Sequence, residues 1–156
     1  MMAREGIKVV ARNRKALHDY HIEDRYEAGL VLKGTEIKSI REGRVTIRDG
    51  FVRPRDGELW LLDVHIGHYK PAGQYYGHDP MRPRKLLLHR YQIDRLISEV
   101  ERSGYTIIPL QMILRNGRAK VEIALAKGKA KHDKRRSIAE RDAQREIERA
   151  MRDRRR

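Results

Sequence analysis

Histidine and carboxylate side chains are the first place to look for chemistry in this 156-residue chain, which has seven histidines and no cysteine. His18 with His21, and His65 with His68, share the H-x-x-H spacing that can open a metal site. On a strand, i and i+3 point to opposite faces, and neither an HExxH helix nor a thiolate accompanies either pair, so no metal centre is assigned. Gly29 to Thr35 holds two glycines at phosphate-loop separation, but threonine stands where that loop needs lysine, and there is no G-x-S-x-G elbow. Carboxylates are plentiful yet alternate with bases like a solvated surface, and no pair demands an acid and a base role. Neither catalysis nor a cofactor is expected.

The charge balance points elsewhere. Lys and Arg number 36 against 22 Asp and Glu, a formal net charge of +14 that favours a polyanionic partner. RNA, DNA and an anionic membrane surface all satisfy that condition. Residues Met1 to Leu17 lack the apolar stretch of a signal peptide, and no window approaches the roughly 20 apolar residues that span a bilayer. Without cysteine there are no disulfides, and the expected setting is soluble and cytoplasmic. The last 30 residues hold 13 basic and 6 acidic residues, a net +7 and half the total excess. This composition shift at Ala126–Lys127 predicts one domain over 1–126 and a basic tail over 127–156.

The elements that must carry these side chains are mostly strands. Ile22, Tyr26, Ala28, Leu30 and Leu32 alternate with charged residues, broken at Asp24, and predict a half-buried strand. Gly34-Thr35 offers a turn and N-cap before a short helix over 36–42, stopped by Gly43. Phe51-Val52 and Leu59 to Ile66 flank Asp56-Gly57, a hairpin signal. The stretch from Gly67 to Pro83 reads as a long loop. Ile93, Leu96, Ile97 and Val100 have helical spacing, with Gly104 placed to end the helix. Ile108, Leu110, Met112 and Leu114, then Asn116-Gly117, then Ala119, Val121, Ile123 and Leu125 predict a second hairpin, and Pro109 suggests that its strand is an edge or has its missing N–H facing outward. About six strands with two or three short helices and no βαβ alternation predict a mainly β fold, a small antiparallel barrel of the OB type or a sandwich.

In the tail, Ala139, Ala143, Ile147, Ala150 and Met151 form a thin stripe flanked by Arg141, Arg145, Arg149 and Arg152, and Ser137 with Glu140 has capping-box spacing. The stripe is too thin to anchor a helix on the domain. The tail is therefore expected to be disordered when free and helical when bound.

A family resemblance covers nearly the whole chain. Asn13-Arg14-Lys15, Tyr26-Glu27-Ala28-Gly29-Leu30, Gly34-Thr35-Glu36-Ile37-Lys38-Ser39, Arg84-Lys85-Leu86-Leu87-Leu88 and Asn116-Gly117-Arg118-Ala119-Lys120-Val121 resemble the small protein B family, the SsrA-binding proteins, in order and spacing. So do Ala126-Lys127-Gly128-Lys129, His132-Asp133-Lys134-Arg135 and Ile138-Ala139-Glu140-Arg141-Asp142. The loop from Gly67 to Tyr76, Gln111 to Ile113 and the sequence past Asp142 depart from the family pattern.

The resemblance implies an OB-like barrel that holds the tRNA-like domain of transfer-messenger RNA, acting as a monomer, and a tail that enters the empty messenger channel of a stalled ribosome and folds there. Elongation factor Tu would be met only through the RNA. Asn13, Glu27 and Leu87 match family positions implicated in RNA binding, with Arg14 and Lys15 beside Asn13. His18, His132, Asp133, Lys134 and Arg135 match positions placed near the small-subunit decoding centre. Ile138, Arg141, Arg145, Ile147 and Met151 would form the tail helix. Independently of the resemblance, Lys33, Lys38, Arg84, Lys85, Lys127 and Lys129 are expected to neutralise phosphates. Asn13 is suited to a base or sugar edge, exposed Leu87 to an unstacked base, and Glu27 either accepts from a base amino group or 2′-OH or orients a neighbouring arginine. Two other readings compete: a generic OB-type ribosomal or initiation-factor protein with a basic extension, and a small metal-dependent nuclease using His18 or His65.

Overall fold

The computed structural model describes residues 6–72, 77–129 and 131–154. Among the described residues, nine strands and four α-helices follow in the order β1 (Ile7–Arg12), α1 (Arg14–Asp19), β2 (Tyr20–Leu30), α2 (Gly34–Arg41), β3 (Val45–Thr46), β4 (Phe51–Arg55), β5 (Glu58–Leu62), β6 (His65–Ile66), β7 (Arg84–Leu87), α3 (Arg90–Ser103), β8 (Thr106–Arg115), β9 (Arg118–Gly128) and α4 (Lys131–Arg154). Strands β8, β4, β5, β7, β2 and β9 pair antiparallel in that order, and β9 pairs again with β8, which closes a six-stranded ring. Closure removes the free edges that an open sheet of this size would expose.

Two turns behave as their dipeptides predict. Asp56-Gly57 has φ of 52° and 75°, and Asn116-Gly117 has 51° and 82°, the positive values that let two-residue loops follow the strand twist. Gly104 ends α3 with φ 67°. Helix α2 begins at Gly34 rather than at residue 36, because Lys33 is its N-cap and the Glu36 carboxylate accepts the Lys33 backbone N–H at 2.8 Å. Thr35 therefore sits inside the first turn. Asp24, the break in the alternation of β2, falls at a register shift between Ile22 and Arg25 in the β2–β9 ladder.

Pro109 does not mark an edge. Strand β8 is central, and a bulge between Pro109 and Gln111 interrupts its ladder with β9. On its other side β8 pairs with β4 at Ile107 and with β1 from Gln111 to Arg115, so Pro109 falls where partners change and no N–H is required. The bulge also reverses inside and outside. Ile107, Met112 and Leu114 join the barrel core with Leu61, Leu86, Leu96, Val121, Ile123 and Leu125, whereas Ile108 and Leu110 leave it for a second cluster with Ala16, Ala124 and Ala126. The regular alternation from Ile108 to Leu114 thus spans two faces, and the outer pair provides the seat for α1.

The tail helix α4 begins at Lys131, so Ser137 lies within it and not at its N-cap. β9 runs two residues beyond the composition shift, with Lys127 and Gly128 paired to His21 and Tyr20.

Candidate nucleic-acid interface

Asn13 is the first predicted site residue, and it is 7% exposed. Its side-chain oxygen accepts the Ala16 N–H at 3.2 Å as the N-cap of α1, its amide NH₂ donates to Pro109 O at 2.9 Å, and its backbone N–H donates to Leu110 O at 2.8 Å. Both ends of the amide are occupied in fastening α1 to the bulge of β8. A reader of base edges needs those groups free; Asn13 instead fixes the start of α1 and so places Arg14 and Lys15, both exposed on that helix.

Arg84 differs from its prediction more sharply. Its side chain is fully buried: Nε donates to the Glu36 carboxylate at 2.6 Å, and the guanidinium reaches the carbonyls of Val64 at 2.6 Å and Pro80 at 3.1 Å. Arg82 donates to the other Glu36 oxygen. No phosphate can reach Arg84, whose role is to tie β7 to α2 and to the segment before it. Burial pulls the Glu36 carboxyl up, but the hydrogen bonds from Arg82, the Lys33 N–H and Arg84 outweigh it and hold the group below the usual carboxylate range. Burial lowers Arg84 against the upward pull of Glu36. His78, 3% exposed and not foreseen, bridges the Thr35 hydroxyl and Ile66 O at 2.8 and 2.9 Å.

Leu87 is 51% exposed on β7, directly opposite Gly29 of β2. A Cβ added at Gly29 would stand 3.2 Å from Leu87 Cβ and 3.5 Å from Lys120 Nζ, so the glycine leaves room for Leu87 and Lys120 to converge. Around them lies a groove of about 390 Å³ with Leu30, Leu32, Ile37 and Ala119 as its apolar part and Arg41, Arg118 and Lys120 as cations. Sequence reasoning did not select Arg41, Arg118 or Lys120 as site residues. The outward parity of β9, opposite Ala119 and Val121, was the available signal for Arg118 and Lys120.

Glu27 lies two residues from Gly29 on β2. It faces Glu122 of β9 across the ladder, and each carboxylate is met by an arginine: Arg115 Nη2 at 2.6 Å from Glu27 and Arg25 Nη1 at 3.3 Å from Glu122. Glu27 thus holds the Arg115 guanidinium in place. Like charges directly opposite on a sheet are unfavourable unless so compensated.

The remaining basic residues divide between two places. Lys33 caps α2 and Lys38 lies on it, both exposed, the latter 5.3 Å from the Tyr69 ring centroid, and Lys85 is half-buried on β7 beside Leu87. Lys127 lies 4.9 Å over the Tyr105 ring, and Lys129 Nζ donates to Leu17 O at 3.2 Å, so both sit at the root of the tail beside α1. Tyr105 donates to Glu23 at 2.8 Å, and that bond raises its phenol above the ordinary value. His18 is near the same root, its Nδ1 3.4 Å from Arg141. Arg141, Arg145, Ile147 and Met151 are exposed on α4, while the side chains of His132, Asp133, Lys134, Arg135, Ile138 and Ala139 lie outside the described residues. Among the described residues no group of three or more His, Cys, Asp or Glu is gathered for a metal, and no helix is long and apolar enough to cross a membrane.

A family model described as SmpB protein matches residues 10–153. The chain belongs to the SmpB family. An SsrA-binding protein of Roseiflexus sp. (strain RS-1) is 60% identical over 147 residues, 94% of this chain and 93% of its own length. One of Thermobifida fusca (strain YX) is 58% identical over 97% of this chain and 94% of its own. A solved chain described under "tmRNA-SmpB: a journey to the center of the bacterial ribosome" superposes with a TM-score of 0.64 at 44% identity, covering 81% of this chain and 92% of that one.

Proposed function

We propose that this chain is the RNA-binding adaptor of trans-translation. It binds the tRNA-like domain of transfer-messenger RNA, brings it to ribosomes stalled without a codon in the A site, and enables peptide tagging and rescue. It is not an enzyme; peptide transfer belongs to the ribosome. The observation that carries this reading is the similarity of almost the full chain to SsrA-binding proteins, among them the Roseiflexus protein at 60% identity.

The geometry suits that work. Leu87, the Gly29 notch and the cations Lys120, Arg118 and Arg41 form an apolar patch with a positive border, which fits an unstacked base and its phosphates. Arg14, Lys15, Lys33, Lys38 and Lys85 add phosphate contacts, while Glu27 holds Arg115 in place. At the other face His18, Lys127 and Lys129 lie at the root of α4. His132, Asp133, Lys134 and Arg135 follow in the chain and carry the charge that meets the decoding centre in place of codon pairing. Ile138, Arg141, Arg145, Ile147 and Met151 then run along the empty messenger channel as a helix. The protein works in the cytoplasm as a monomer and meets elongation factor Tu only through the RNA.

Competition binding at equal salt tests the RNA choice. A transcript of the tRNA-like domain should displace itself at least tenfold better than a hairpin of equal length displaces it. Equal displacement would instead leave a generic structured-RNA binder.

A further inference from the structure

Trp60 is the chain's single tryptophan. It lies half-buried at the middle of β5, facing outward because its neighbours Leu59 and Leu61 are both fully buried in the core. The ladder places a cation on either side of it: Arg53 of β4 is its partner on one flank and Lys85 of β7 on the other. Trp60, Arg53, Arg55, Leu62 and Pro83 line a hollow of about 340 Å³.

The charges here are not balanced as they are elsewhere on the barrel. Glu27 and Glu122 meet Arg115 and Arg25, and Glu58, near the end of the same strand, is engaged by Arg90. Among the described residues no carboxylate pairs with Arg53 or Lys85. Arg53 instead stands 5.4 Å from the Phe51 ring centroid. An indole between two cations that lack acidic partners is complementary to a ligand that is flat, aromatic and anionic. An unpaired nucleotide has that chemistry, whereas a paired one keeps its faces inside the stack. Leu87 lies two residues along β7 from Lys85 on the same face, so this surface continues the Leu87 groove.

We infer that Trp60, with Arg53 and Lys85, forms a second nucleotide site on the barrel: an unpaired base of the bound RNA stacks on the indole and its flanking phosphates meet the two cations. The inference rests on the RNA partnership proposed above and extends its footprint from β2 and β7 across β5 to β4.

The single tryptophan makes the site directly observable. The full-length protein is titrated with a transcript of the tRNA-like domain while indole emission and affinity, by an independent gel or calorimetric assay, are followed together. Stacking predicts quenching that saturates with binding. Trp60→Phe should bind within about threefold of the parent, and Trp60→Ala about 5- to 100-fold more weakly, the range of one lost base stack. Arg53→Glu with Lys85→Glu leaves the indole and the buried core side chains unchanged, so it keeps the test open if the alanine variant does not fold; it should weaken binding and flatten the salt dependence. Saturated binding with unchanged emission and undiminished affinity in the double charge reversal would overturn this site alone. Absence of any binding by the parent protein would overturn the RNA partnership with it.

Discussion

At the residue scale, the barrel depends on a buried carboxylate and two arginines, one of which, Arg84, the sequence pattern alone assigns to the surface. Arg84 follows Arg82 and Pro83 in a basic stretch and looks like a phosphate ligand. Its burial follows from facts distant in the chain, namely that Glu36 on α2 is also fully buried and that Val64 and Pro80 present carbonyls beside it. Removing one partner of such a pair strands a charge in the interior. Arg84→Met should therefore lower unfolding free energy by about 3–5 kcal/mol, read by denaturant titration. The pH dependence has a definite sign. Because the folded Glu36 carboxyl is held below its unfolded value, its contribution is complete above about pH 4.5 and disappears as pH falls through the folded value. Unfolding measured from pH 7 downward should show Glu36→Gln losing less stability below pH 4.5 than the parent. Parallel curves would remove this ion-pair cluster from the acid response.

Among the elements, those with strong local signals were legible and those made by tertiary context were not. Asn116-Gly117 and its alternating flanks foretold the β8–β9 hairpin, and Gly104 foretold the end of α3. Nothing local announced β1 or α1, because Ile7–Arg12 is mostly exposed and α1 is a single short turn region capped by a buried asparagine. Pro109 leaves an edge strand and an outward-facing missing N–H equally open in the sequence, because a proline looks the same whether that N–H would meet solvent or a change of strand partner. The composition shift at Ala126 likewise falls inside β9. The chain ending at Lys129 keeps the pairs of Lys127 and Gly128, the Lys127–Tyr105 contact and the bond from the Lys129 N–H to Asp19 O. Ending instead at Ala126 removes these at a cost of about 1–2 kcal/mol. Thermal unfolding should find the Lys129 truncation at the melting temperature of the full chain and the Ala126 truncation about 4–8 °C lower. Equal melting temperatures would mean that the end of β9 contributes nothing to the barrel.

For the whole molecule, the net charge of +14 is divided between a closed barrel and a tail whose described side chains on α4 all face solvent. The candidate site was legible in part. Leu87 is exposed on β7 as its sequence reading expected, whereas Gly29, Lys120 and Trp60 acquire meaning only when β2, β5, β7 and β9 lie side by side. The central claim is that the barrel chooses the RNA and the tail engages the ribosome. The decisive measurement compares the full chain with the version ending at Lys129 for affinity toward the tRNA-like domain and for tagging on ribosomes stalled without a codon. Affinity within about threefold together with abolished tagging is the predicted result; loss of both functions together, or tagging that survives without the tail, would contradict it.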